Sequence, residues 1–132
     1  MRKIQKSQAN VRYHTDRDGV TLAVYEGRVD GTALVDLRGA VARQAADTTA
    51  YVVRMDSARL LMGVDPFIPP AGMDLSTLPG GAVICRLDQL EVMRAYARYM
   101  SEHGVIRTVF LDSEIQEALH FAARHAFFSR RR

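Results

Sequence analysis

The chain has 132 residues, 48% of them hydrophobic, and a formal net charge of +3, which is enough for one buried core near the commonest domain size. No run approaches the roughly 18 apolar residues of a membrane span, the first residues lack the apolar stretch of a signal peptide, and a single cysteine cannot close an intrachain disulfide. A cytoplasmic protein without stable membrane insertion is therefore expected. The positive charge does not predict nucleic-acid binding, because Arg2, Lys3, Lys6, Arg130, Arg131 and Arg132 at the ends leave 12 basic against 15 acidic residues in between, scattered rather than clustered.

A basic tail over residues 1–10, one domain over 11–127 and a basic tail over 128–132 are expected. Residues 11–14 and 20–25 read as strands around Asp18-Gly19, a hairpin signal, and Val20, Leu22 and Val24 alternate onto one face. Asp30 or Thr32 can cap a helix whose Leu34, Leu37, Val41 and Ala45 recur at helical spacing. Residues 51–55 form a β-branched strand, and a short helix is predicted over 57–62, entered through Asp56 and Ser57 and closed by Gly63.

Residues 64–81 interrupt the alternation and hold all four prolines. A connection of this length is a binding loop or a disordered one, and Asp65, Phe67, Ile68 and Met73 are its candidate contacts. Beyond it, residues 82–86 read as a buried strand in which Cys85 serves as a small core hydrophobe. Asp88 can cap a helix with Leu90, Met93, Ala97 and Met100 on one stripe, stopped at Gly104. A last strand covers 105–111. Ser113 and Gln116 then form a capping box before a helix with Ile115, Ala118, Leu119, Ala122 and Ala126 on one side. The order is β-β-α-β-α-β-α-β-α: an α/β fold with a mixed, mostly parallel sheet, opened by an antiparallel hairpin and flanked by helices.

Signals for chemistry are weak. His120 and His125 are five apart and do not share a helix face as paired ligands would, so no metal is expected. No nucleophile has a base at recognisable spacing and no phosphate-binding or dinucleotide loop appears, which predicts a protein that is not an enzyme and takes no cofactor.

The order and three local segments resemble the STAS domain, including its SpoIIAA-like anti-sigma-factor-antagonist relatives. The segments are Glu26-Gly-Arg-Val-Asp30, Met55-Asp-Ser-Ala-Arg-Leu-Leu-Met-Gly63, and the strand-to-helix run from Thr108 to Ala118. The resemblance implies a non-catalytic interaction domain in bacterial regulation, docking an anti-sigma factor or kinase, or a second copy of itself, through the helix entrance at 56–63. In that family the second serine of an Asp-Ser-Ser-Gly element is phosphorylated; here Asp56 and Ser57 match its first two places, while Ala58 and Arg59 replace serine and glycine. Asp56, Ser57 and Arg59 are the candidate docking or phosphorylation residues, with helix capping the plainer role for the first two. The alternative the resemblance allows is a small-ligand or lipid carrier with its pocket under 64–81.

Overall fold

The computed structural model describes residues 9–29, 47–60 and 78–130. The helix expected after Asp30, the loop residues Asp65, Phe67, Ile68 and Met73, and most of both basic tails lie outside the described residues. Within them, β1 (Asn10–Thr15), β2 (Val20–Val29), β3 (Ala50–Arg54), β4 (Ala58–Leu60), β5 (Gly81–Cys85) and β6 (Arg107–Leu111) form one sheet. Its order is β1-β2-β3-β5-β6, with β4 beside β2. The β1–β2 pair is antiparallel and every other pairing is parallel. Among the described residues are two α-helices, α1 (Leu90–Glu102) and α2 (Ile115–Arg130), each entered through a 3-10 turn.

The opening hairpin forms where the sequence signals it. The Asp16 carboxylate accepts the amides of Asp18 and Val20 at 2.9 and 3.0 Å, closing the turn locally. The turn is then tied to the next strand, because the Gly19 carbonyl accepts the Thr49 amide at 2.7 Å.

Helices cover both faces of the sheet, and β5 shows why its sequence is apolar throughout. Val83 and Cys85 face one core, shared with Ala23, Tyr25 and the α1 residues Met93, Tyr96 and Met100. Ala82 and Ile84 face the other, shared with Val52 and the α2 residues Ala118 and Ala122. A strand buried on both faces has no position for a polar residue. Three details differ from the predicted stripes: Tyr96 rather than Ala97 enters the α1 core, Leu119 is exposed, and residues 128–130 continue α2 instead of starting a tail.

The predicted helix caps are replaced by a shared device. The Arg86 amide donates to the Gln89 side chain at 2.9 Å, and the Leu111 amide donates to the Glu114 side chain at 2.8 Å. Each strand end is thus bound to the turn that follows it, so neither Asp88 nor the Ser113–Gln116 pair is needed as the cap. The stop at Gly104 is as predicted: the glycine has φ +84°, and the Val105 amide returns to the Met100 carbonyl at 2.9 Å.

The largest correction concerns the short helix expected over 57–62. Residues 58–60 form a strand instead, parallel to Gly27, Arg28 and Val29 of β2. Six residues are too few to hold a helix without tertiary support. Here the tertiary partners, described next, hold the segment extended.

Candidate functional site: a latched bulge beyond the strand ends

The β3 and β4 strands run along the same neighbour, with one residue too many between them. Val24 pairs with Arg54 and Gly27 pairs with Ala58, so Tyr25 and Glu26 on β2 face three residues, Met55, Asp56 and Ser57. Such a bulge turns side chains out of the alternating pattern and is a common way to present them at sites. The segment predicted to be a helix mouth is therefore a bulge in a sheet.

The bulge is held from the exit of β5. The Gln89 carboxamide is buried and donates to the carbonyls of Met55 and Ala58 at 2.8 and 3.0 Å. The Arg86 guanidinium donates to the carbonyls of Asp56 and Ala58 at 2.6 and 3.1 Å. The Met55 amide reaches the Ile84 carbonyl at 2.8 Å. Backbone groups that lose their ladder partners at a bulge need such replacements, and these two side chains provide them.

Of the three candidate residues, Asp56 is occupied by its own strand. Arg54 clasps it with both nitrogens of a fork, Nε to Oδ1 at 3.1 Å and Nη2 to Oδ2 at 2.5 Å. Burial by itself would raise the Asp56 carboxyl. The Arg54 hydrogen bonds and charge, its own backbone amide and the charge of Arg86 outweigh that and hold it below the usual value. The same hydrogen bond raises Arg54. Asp56 is thus a fixed anion within the scaffold.

Ser57 and Arg59 are exposed, as a surface role requires. Arg59 is directly opposite Arg28, also exposed, so two guanidinium groups emerge from adjacent positions on one face of the sheet. Among the described residues neither has a carboxylate within ion-pair distance, whereas Arg12, Arg54 and Arg86 each have one, in Glu26, Asp56 and Asp88. The opposite side of the same strands, Val29 and Ala58, is buried in the α1 core.

Sequence reasoning missed Arg28, Arg54, Arg86 and Gln89. A signal existed for Arg54, since residues two apart on a strand share a face and a fork two residues before a carboxylate can close on it. No local signal existed for Gln89 or Arg86, whose carbonyl partners are about 30 residues away in the chain.

Elsewhere the described residues offer little chemistry. Cys85 is completely buried, and burial, followed by the nearby carboxylates of Asp112 and Asp56, pushes its thiol up to about 11, which makes it an inert core group. Among the described residues no three His, Cys, Asp or Glu side chains converge as a metal site, and no helix is long and apolar enough to cross a membrane. Neither a scan against protein-family models nor searches of curated proteins and of solved structures finds a match for this chain.

Proposed function

We propose that the chain is a non-catalytic protein-interaction domain that docks an acidic face of a partner protein on Arg28, Arg59 and Ser57 beside the latched bulge. The exposed pair Arg28 and Arg59 carries this reading. Like charges directly opposite on neighbouring strands oppose folding. A position that keeps two of them, while other arginines of the same region have carboxylate partners, is suited to an external anion. The fixed bulge presents them on a backbone that is already ordered, which lowers the cost of binding.

The finer reading is a STAS-like, anti-sigma-factor-antagonist-like regulator whose partner is an anti-sigma factor or kinase. It rests on the resemblance of residues 26–30, 55–63 and 108–118, and the α/β framework with its antiparallel opening pair supports it. The docking surface is moved from a helix entrance to a bulge. Phosphorylation of Ser57 would add roughly −1.5 to −2 charge beside Arg59 and so compete with an acidic partner for the same guanidinium.

Affinity capture from the native host tests this. A partner retained by the wild-type chain is expected to fall away with Arg59→Glu and with Arg28→Glu, to weaken with Ser57→Asp, and to dissociate more readily as salt is raised. Recovery of the same partner by the Arg28→Glu/Arg59→Glu double variant, with its fold intact by circular dichroism, would remove this surface from the function.

A further inference from the structure

The last turns of α2 carry an apolar surface that its packing does not use. The row facing the sheet is alanine, Ala118, Ala122 and Ala126, all completely buried. Phe127 and Phe128, by contrast, are 46% and 58% exposed. Their rings meet edge to face with centroids 5.4 Å apart, so they form one projecting apolar group and not two scattered side chains. Exposed Leu119 and Ala123 extend it along the helix, because residues four apart share a face with Phe127.

Charge at this end of the helix has one sign. From Ala118 to Arg132 the sequence holds Arg124, Arg130, Arg131 and Arg132 and no carboxylate. Arg124 is exposed about one turn before the two phenylalanines, and among the described residues no carboxylate pairs with it. The helix dipole favours cations near a C-terminus, which accounts for arginines here but not for exposed phenylalanines among them. His125 fixes the location: a methyl group at Gly80, just before β5, would lie 2.9 Å from its Nε2 and 2.5 Å from the Ile106 carbonyl oxygen. The end of α2 therefore stands where the parallel strands begin, near exposed Ile106, while Arg28 and Arg59 lie beyond the other ends of those strands. The exposed carboxylates at this end, Asp16, Asp18, Asp47 and Glu102, belong to the hairpin turn, the approach to β3 and α1 on the other side of the sheet.

We propose that this end of α2 docks on an anionic membrane surface, with Phe127 and Phe128 entering the interfacial layer and the charge of Arg124, Arg130, Arg131 and Arg132 drawing the chain to acidic headgroups. Each basic residue near such a surface strengthens binding about fivefold, the equivalent of about 1 kcal/mol, and buried apolar groups add a part that salt does not screen. The contact is peripheral, since among the described residues no helix is long and apolar enough to cross a membrane. Single-stranded nucleic acid suits the patch less well, because two rings set edge to face do not offer successive bases parallel faces on which to stack. So oriented, the Arg28 and Arg59 surface is turned away from the lipid and stays open to a protein partner.

The test is cosedimentation of the full chain with vesicles of phosphatidylcholine alone and of phosphatidylcholine and phosphatidylglycerol in equal parts. Retention on the anionic vesicles, little on the neutral ones and release as salt is raised are expected. Binding should weaken at least tenfold in Phe127→Ser/Phe128→Ser and about fivefold in each of Arg124→Gln and Arg130→Gln. The chain has no tryptophan, so Phe128→Trp supplies a single indole whose emission should shift to the blue on anionic vesicles. Absence of binding, equal binding to neutral vesicles, an unmoved indole emission or full binding by the phenylalanine double variant would each overturn the proposal. A dimer lost in that double variant, or capture of a single-stranded oligonucleotide without vesicle binding, would give the patch to another occupant and overturn it as well. Should a substitution prevent folding, the wild-type comparison of the two vesicles decides.

Discussion

The carboxylate of Asp56, with 11% of its side chain exposed, is clasped by Arg54 at a break in the sheet. Its folded-state value lies below the ordinary one despite burial, which acts the other way. A depressed carboxylate stabilises the fold fully above its unfolded-state value of about 4, and that contribution is lost as pH falls through the lower folded-state value. In Asp56→Asn the dependence of unfolding free energy on pH below about 4 is therefore expected to become shallower, with stability at neutral pH also reduced. Urea unfolding at a series of pH values checks this, and an unchanged acid limb would show that the Arg54 contact does not stabilise the bulge. Glu26 is also lowered, first by its hydrogen bond to Arg12, but that pair is exposed to solvent and its contribution is screened.

At the scale of elements, β5 is the axis about which the others are placed. It pairs with β3 and β6, is buried along its whole length and sends the Arg86 and Gln89 side chains back to the bulge from the turn that follows it. Its first residue, Gly81, has φ +145°, and a methyl group there would come within 1.9 Å of the Tyr51 carbonyl oxygen. Gly104, which ends α1 at φ +84°, has nothing within 4 Å of the same position. The two alanine variants separate backbone strain from steric collision. Gly104→Ala is expected to cost about 1 kcal/mol, the strain of a left-handed alanine alone. Gly81→Ala adds a backbone clash and should cost about 3 kcal/mol or more. Denaturant midpoints of the two proteins measure the difference directly.

For the whole molecule, the two sides of the sheet are packed by different means. Ala118, Ala122 and Ala126 of α2 are completely buried, so that helix lies close on β3 and β5 with small side chains. On the other side α1 contributes the long, adaptable Met93 and Met100. Enlargement and reshaping should therefore have unequal effects. Ala122→Leu must displace the helix from the sheet and is expected to cost about 1–3 kcal/mol, while Met100→Leu conserves volume and should cost less than about 1.5 kcal/mol. Equal melting temperatures for the two variants would contradict this asymmetry.

The sequence by itself determined the hairpin at Asp18-Gly19, the parallel strands at 51–55, 82–86 and 105–111 within a residue or two, and the helices ended by Gly104 and bearing Ala118 and Ala122. Each of these is written in local periodicity and turn chemistry, which act between residues a few positions apart. The site was legible only as the location of Asp56, Ser57 and Arg59. Whether that segment became a helix or an extended bulge depended on Gln89, Arg86 and the register of β2, partners far along the chain that no local pattern records. The pairing of Arg28 with Arg59, and the approach of Arg107 to Tyr51 across Gly81, likewise arose only when the sheet aligned its strands, because cross-strand position is set by register and not by sequence distance.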